Sequence, residues 1–273
     1  MIEGTQLFDL STHRAVITGG GGVLAGVMAE SLISAGAAVS LWGRGHSTPM
    51  DSVVADMKKR TGKPEQVHGL TVDTGDRESV SLAFEKTAED IGVPDILING
   101  VGGNIGKSSF LETDLDTFRK ILDMNIMAGL MIPTQVCAGY WIENQVEGTI
   151  INMASMASYI PLSGVWAYDA SKAAVMNLTM AAAKEFAPHR IRVNAIAPGF
   201  FIGHQNKALL IADESSGTLT QRGKDIINHT PYGRFGDQSD LAGTTIFLAS
   251  RKASGFITGV TIPVDGGYLI HNI

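Results

Sequence analysis

The feature that most constrains the fold is a regular alternation of short, almost wholly apolar runs with longer segments of helical periodicity. Runs at residues 15–17, 38–42, 67–72, 95–98, 149–153 and 192–196 are each too short for a helix and are mostly rich in Val and Ile. Between them, residues 23–35, 50–61, 77–91, 114–140 and 164–186 carry apolar residues at helical spacing. Strands that are apolar throughout must be covered on both faces, and strand–helix–strand repeats join parallel strands by right-handed crossovers. The pattern predicts an α/β, doubly wound parallel sheet of Rossmann type, about seven strands with helices on both faces. A last helix at 238–249 and a final strand with a tight turn within 259–267 complete it. In such a sheet the ligand lies beyond the carboxyl ends of the strands.

A chain of 273 residues without repeats or linkers reads as one domain, 1–273. Residues 200–237 break the rhythm: they are polar, rich in His, Asn, Gln and Thr, and are expected to form a lid or substrate loop. Lys and Arg number 21 against 27 Asp and Glu, a net charge of −6 with no basic cluster, which speaks against nucleic-acid binding. The single cysteine, Cys137, sits in an apolar helical pattern and forms no intrachain disulfide. Residues 1–11 hold two acids and no apolar core, so no signal peptide is expected. No run is expected to reach the ~20 apolar residues that span a bilayer, so the default is a cytoplasmic protein with no membrane partner. The histidines show no metal-ligand spacing, and no metal is expected.

Thr18-Gly19-Gly20-Gly21-Gly22-Val23-Leu24 follows the first strand and opens the first helix. Glycines there let the backbone turn sharply and approach a pyrophosphate, and the helix start offers free N–H groups. Gly19, Gly21, Gly22, Val23 and Leu24 are therefore candidate cofactor contacts. After the second strand the sequence reads Leu41-Trp42-Gly43-Arg44, with Gly43 where a ribose-binding carboxylate would stand. Without that acid a 2′-phosphate is not repelled, and Arg44 either pairs with it or is a solvated loop charge. NADP(H) is favoured on this ground, with NAD(H) possible. Asp73, after the third strand, either accepts the adenine amino group or caps a turn.

Tyr168 and Lys172 lie four residues apart in a strong helical pattern, on one face. A free phenol titrates near 10, and a neighbouring ammonium lowers that value toward the range of a working acid or base. Ser155 stands just after the fifth strand, at the edge of the expected cleft, where its hydroxyl can hydrogen-bond a substrate oxygen.

Taken with Asn99-Gly100-Val101-Gly102-Gly103, Asn125, the segment 192–199 and Val264-Asp265-Gly266-Gly267, these motifs resemble the short-chain dehydrogenase/reductase family over nearly the whole sequence. The resemblance implies Tyr168 as general acid in reduction and base in oxidation, with Ser155 orienting the substrate oxygen. Lys172 would bind the nicotinamide ribose and lower the pKa of Tyr168, and Asn125 would hold a relay water. Further cofactor contacts are implied at Thr74, Asn99, Gly100, Pro198 and Gly199. The glycine loop departs from the family's Thr-Gly-x-x-x-Gly-x-Gly by being one residue shorter, with Leu24 at the last glycine position. The resemblance also implies a homotetramer built through the long helices and the C-terminal strand.

Gly19–Leu24, Ala197–Phe201 followed by Gln205, Asn206, Leu209 and Leu210, and His229–Gly236 are similar to one subgroup of that family, the D-mannonate oxidoreductases (fructuronate reductases). The expected substrate is thus a sugar acid, D-mannonate or D-fructuronate. Asn104, Gln205 and Asn206, with Ser155 and Tyr168, are the expected substrate contacts. Lys107, His204, Arg222, Lys224, His229 and Arg234 supply further polar groups, among them cations for a carboxylate. The alternatives are a relative acting on another polyol or keto acid, such as 5-keto-gluconate, and a non-catalytic dinucleotide-binding regulator.

Overall fold

Seven parallel strands form the main sheet of the computed structural model, which describes residues 4–203, 207–213 and 216–271. They are β1 (Arg14–Thr18), β2 (Ala38–Gly43), β3 (Val67–Thr71), β4 (Ile96–Asn99), β5 (Thr149–Met153), β6 (Arg192–Pro198) and β7 (Thr261–Val264). The spatial order is β3-β2-β1-β4-β5-β6-β7. The chain runs outward from β1 to β3, then returns to lay β4 on the other side of β1, with Val16 opposite Leu97. Connections leave β1 and β4 in opposite directions, so a crevice opens beyond their carboxyl ends.

The helices of eight residues or more are α1 (Val23–Ser34), α2 (Met50–Thr61), α3 (Arg77–Ile91), α4 (Leu115–Leu122), α5 (Ile132–Glu143), α6 (Trp166–Phe186), α7 (Gln221–His229) and α8 (Ala242–Ala249). Side chains alternate across each strand and so feed two cores. Ala15, Ile17, Ile96, Ile98 and Ile151 pack with Met28 and Leu32 of α1, Met57 of α2 and Leu248 of α8. Val16, Leu97, Ile150 and Val193 pack with Phe84 of α3, Cys137 and Trp141 of α5 and Ala183 of α6. Each such side chain contributes about 1.5–3 kcal/mol relative to exposure, which is why the apolar runs become central strands. Cys137 is fully buried, as its pattern suggested.

Three expectations change in detail. The helix expected over 114–140 is helical throughout, but a π-helical stretch, Asp123–Met131, separates α4 from α5. Pro133, near the start of α5, has no N–H to donate, and Gly129 approaches the Val101 carbonyl so closely that a Cβ would lie 2.7 Å from it. The continuous stretch Leu115–Glu143 is also long and apolar enough to cross a membrane by length and composition, contrary to the sequence expectation. In the fold it is a core helix, with Asn125, Leu130, Cys137, Ala138 and Trp141 buried. Finally, the described residues of 200–237 hold secondary structure of their own. They contain the short helix Lys207–Leu210, a hairpin of Ile211–Asp213 with Thr218–Leu219, and α7, whose start is capped by Thr220 Oγ1 accepting from Gly223 N at 3.0 Å.

Candidate active site

The crevice between β1 and β4 is floored by the glycine loop. Gly19 has φ +68°, and a Cβ there would lie 2.9 Å from the Gly100 carbonyl oxygen, so the turn requires glycine. Gly22 is the N-cap of α1 and offers no side-chain cap, so α1 presents its first backbone N–H groups uncapped. Gly21, Gly22, Val23, Leu24 and Ala25 all line the cleft. A helix start of this kind attracts anions by its free donors and by the positive end of its dipole. These residues fit a dinucleotide pyrophosphate. The loop's shortness is compensated next door: a Cβ on Gly100 would lie 2.5 Å from the Thr18 carbonyl oxygen and 2.9 Å from Ala25 Cβ. The residue packed against β4 is thus Ala25, one position beyond the expected Leu24.

The other expected cofactor residues divide. Gly100, Pro198, Gly199 and Lys172 line the cleft. Arg44 is exposed just beyond β2 and, among the described residues, has no ion-pair partner. Asp73 takes the turn-capping alternative, with Oδ1 accepting from Gly75 N at 2.9 Å. Thr74 is buried and does not line the cleft. The Asn99 side chain points away from the cleft: its Nδ2 donates to Thr134 Oγ1 (2.9 Å) and Asn152 Oδ1 (2.8 Å) in a buried network that continues through Thr179. Its parity along β4 is that of Leu97, which faces α5 and α6, so only the Asn99 backbone remains near the cofactor edge. Ser47 and Thr48, which the sequence reading passed over, line the cleft after β2. Their signal was a pair of hydroxyls in the turn that carries Arg44.

β5 and α6 bring the reactive groups together. Ser155 stands just after β5; its Oγ accepts from Ala157 N at 3.2 Å, and it lines the cleft with Tyr168. Lys172, one turn after Tyr168, is 3% exposed; its Nζ donates to the Met153 carbonyl at 2.7 Å and lies 5.7 Å from the centre of the Tyr168 ring. Ser158 Oγ donates to the Lys172 carbonyl at 2.6 Å and fixes the helix against the β5 end. Burial pushes the Lys172 ammonium down to about 8. Burial also raises the Tyr168 phenol above its usual range, opposed by the Ser155 hydrogen bond and reinforced by the Asp169 charge. Lys172 Nζ, held by the Met153 carbonyl, stays within reach of the phenol ring.

Asn125 is buried in the π-helical stretch, and both its amide functions are engaged by one residue: Oδ1 accepts from Gly103 N at 2.8 Å, and Nδ2 donates to the Gly103 carbonyl at 2.9 Å. These two bonds fix the backbone of the 102–103 segment. A Cβ on Gly102 would lie 2.6 Å from Asn125 Oδ1 and 3.2 Å from Lys172 Nζ, so this segment lies between the two side chains. Among the expected substrate contacts, Ser155 and Tyr168 line the cleft, while Asn104 is exposed with its Nδ2 on the Gly106 carbonyl at 2.6 Å. Gln205 and Asn206, with His204, lie outside the described residues. The cleft holds about 710 Å³, and Met153, Met156, Leu162, Phe200 and Phe201 give it an apolar wall. No group of three or more His, Cys, Asp or Glu among the described residues is placed to hold a metal ion.

A buried phenol, a serine hydroxyl and a buried ammonium, in one cleft with an anion-binding helix start, fit an oxidoreductase that works on a carbonyl or carbinol beside a bound dinucleotide. A family model described as enoyl-(acyl carrier protein) reductase matches residues 22–269. The chain belongs to the short-chain dehydrogenase/reductase family and is an enzyme acting on CH–OH groups. It is 38% identical to an uncharacterized oxidoreductase, UxuB, of Bacillus subtilis, over 97% of both chains. It is 33% identical to the 2-dehydro-3-deoxy-D-gluconate 5-dehydrogenase of Formosa agariphila, over 97% of this chain and 95% of the relative. Among solved structures it resembles a Haemophilus influenzae protein, provisionally named a D-mannonate oxidoreductase, with bound NAD (TM-score 0.86, 32% identity, 97% of each chain). It also resembles the gluconate 5-dehydrogenase of Burkholderia cenocepacia in complex with NADP and tartrate (TM-score 0.85, 28% identity, 99% of this chain and 100% of that one). A nicotinamide dinucleotide is the cofactor class.

Proposed function

We propose that this enzyme interconverts a secondary alcohol and a ketone on a sugar acid, with D-mannonate and D-fructuronate as the pair and NADP(H) as the preferred cofactor. The observation that carries the reading is the placing of Ser155, Tyr168 and Lys172 together, with Lys172 Nζ 5.7 Å from the Tyr168 ring, in the same cleft as the uncapped start of α1. In reduction, Ser155 orients the substrate oxygen and Tyr168, kept protonated by burial, gives it a proton. In oxidation the same phenol takes the proton back. The bound nicotinamide supplies or accepts the hydride. Lys172 holds the ribose hydroxyls and restores the phenol proton, while Asn125 fixes the backbone between them through Gly103. The likeness to the Haemophilus influenzae structure supports the mannonate assignment.

The preference for NADP(H) rests on the end of β2. A Cβ on Gly43 would lie 2.9 Å from Met50 Sδ, so a carboxylate there has no room unless Met50 moves. Arg44, Ser47 and Thr48 then offer a cation and two hydroxyls to a 2′-phosphate.

A second reading is favoured by the relative named as a 2-dehydro-3-deoxy-D-gluconate 5-dehydrogenase: oxidation at carbon 5 of a gluconate-type acid, including the 5-keto-gluconate alternative. The test is absorbance at the reduced-nicotinamide band, with NADPH and NADH in parallel, on fructuronate, 5-keto-gluconate and other keto sugar acids. Oxidation of NADPH by fructuronate is the expected result. Turnover of a 5-keto acid alone selects the second reading. Activity only with NADH removes the cofactor argument. Tight cofactor binding without turnover of any ketone or alcohol revives the regulatory alternative.

A further inference from the structure

Tyr168 is followed in the chain by an acid that, among the described residues, meets no cation. Asp169 stands in the first turn of α6, and its Oδ1 accepts from Leu162 N at 3.1 Å. That bond crosses the turn between β5 and α6, and Leu162 lines the cleft with Ser155 and Tyr168. The same turn is tied at its far end to the segment after β4. Ser108 N donates to the Gly164 carbonyl at 3.2 Å, and Trp166 Nε1 donates to the Ser108 carbonyl at 3.2 Å. Phe110 meets the Trp166 ring edge-on, with ring centres 5.3 Å apart. Gly164 has φ +77°, a conformation that a side chain would strain.

A neutral acceptor would hold Leu162 as well, so the carboxylate needs another reason. Its second oxygen, Oδ2, is buried and has no hydrogen-bond partner among the described residues. Asp56, Asp90, Asp95, Asp116 and Asp240 each meet a cationic side chain or a histidine; Asp169 does not. A carboxylate oxygen withdrawn from water without a donor is costly to keep. Burial accordingly raises the Asp169 carboxyl above its usual range, against the Leu162 hydrogen bond. A charge in such surroundings is weakly screened and acts on what stands beside it. Beside it is Tyr168, with Lys172 Nζ 5.7 Å from its ring centre. Lys172 is the one charged side chain among the described residues that line the cleft. From the segment after β4 comes Lys107, exposed, its Cβ 3.6 Å from the place of a Gly164 Cβ.

We propose that Asp169 is a positioning residue for the reaction: its carboxylate holds Leu162 over the Tyr168 side of the cleft and sets a negative charge next to the phenol. The role rests on the reading of Tyr168 as the acid–base group and deepens it. Leu162 closes on the substrate where Ser155 and Tyr168 meet it. The charge opposes loss of the phenol proton, while the Lys172 ammonium favours that loss from the other side.

The experiment uses the full-length protein with cofactor and the variants Asp169→Ala, Asp169→Asn and, as a reference, Tyr168→Phe. With an alcohol that the wild type oxidises, Asp169→Ala raises its KM about 10-fold, the worth of one hydrogen bond to a charged group, while the cofactor KM holds. Asp169→Asn keeps an acceptor for Leu162 N and restores most of that loss. Its kcat nevertheless begins to rise at lower pH than that of the wild type, because the charge is gone. An unchanged alcohol KM in Asp169→Ala, a rise in the cofactor KM instead, or an unmoved pH profile in Asp169→Asn overturns the proposal. Phenolate absorbance, titrated without substrate, separates it from the reading on which it rests. The signal that Tyr168→Phe lacks belongs to Tyr168, and in Asp169→Asn it emerges at lower pH. Wild-type turnover by Tyr168→Phe means that the acid–base reading has failed; the phenolate shift then still supports the placing of the charge. A Tyr168 signal at the wild-type pH in Asp169→Asn overturns the proposal, whether or not Asp169→Ala folds.

Discussion

Tyr168 and Lys172 are taken out of water by the same turn of helix, and burial moves them in opposite directions, the phenol up and the ammonium down to about 8. At neutral pH the phenol keeps its proton, which suits the donor in ketone reduction. Tyr168→Phe removes that proton and little else. It is expected to bind NADPH with unchanged affinity by fluorescence titration and to lose about 10²- to 10⁴-fold in kcat. The Lys172 shift also bears on stability. Its folded value is depressed from the usual 10.5, so the unfolded chain binds the proton more tightly between about 8 and 10.5. Stability from this group is therefore present above that window and is lost as pH falls through about 8. Lys172→Met is expected to make the cofactor-free protein about 1–3 kcal/mol more stable at pH 7 in urea melts, an advantage that shrinks as pH rises toward 10.5. Ser155, Tyr168 and Lys172 were legible in the sequence because helical spacing and a strand end fix their directions. The direction of the Asn99 side chain was not, because a strand-end side chain takes its direction from the pleat, whereas the turn cap made by Asp73 was one of the two alternatives its position offered.

Between elements, α1 and β1 both fit closely on the residue just after β4. Gly100→Ala drives a methyl against the Thr18 carbonyl and Ala25. The expected cost is about 1–3 kcal/mol of stability, read by thermal or denaturant melting, with weakened cofactor binding because the glycine loop is displaced. Adding Ala25→Gly relieves the methyl contact but not the carbonyl contact, so recovery is partial. All seven strands were legible as apolar runs. The π-helical stretch was not, because its cause lies in Pro133 and in contacts to residues 101–103, which are far away in sequence. The helix α7 was hidden by polarity: only Gly223 and Ile226 of its residues are buried, too few for a clear apolar stripe. That same polarity leaves Arg222 in the first turn of a capped helix.

At the scale of the whole molecule, nine of the fourteen large apolar side chains exposed among the described residues fall into two groups. Phe110, Leu111, Leu115, Met127 and Met180 belong to the segment before α4, α4 itself, the π-helical stretch after it and α6. Tyr159, Phe256, Val260 and Ile270 lie around β7. We propose that these are the two contact surfaces of a homotetramer, and light scattering at micromolar concentration is expected to give about four times the 28.9 kDa mass of one copy. A monomeric mass would remove the assignment. The doubly wound topology was legible because alternation of strand and helix leaves few ways to wind a parallel sheet; the arrangement of copies is written only in exposed side chains, which a sequence does not distinguish from core.

The strand order has one more consequence, for the protein as it is made. β1 is first in sequence but central in space, and its second neighbour, β4, begins at Ile96. Through the synthesis of roughly the first third of the protein, β1 offers a bare row of N–H and carbonyl groups between two apolar faces. A nascent chain in that condition is open to pairing with any passing strand. Nothing in the finished fold records that exposure, yet translation must outrun it, or a chaperone must cover it, until β4 arrives and seals the sheet.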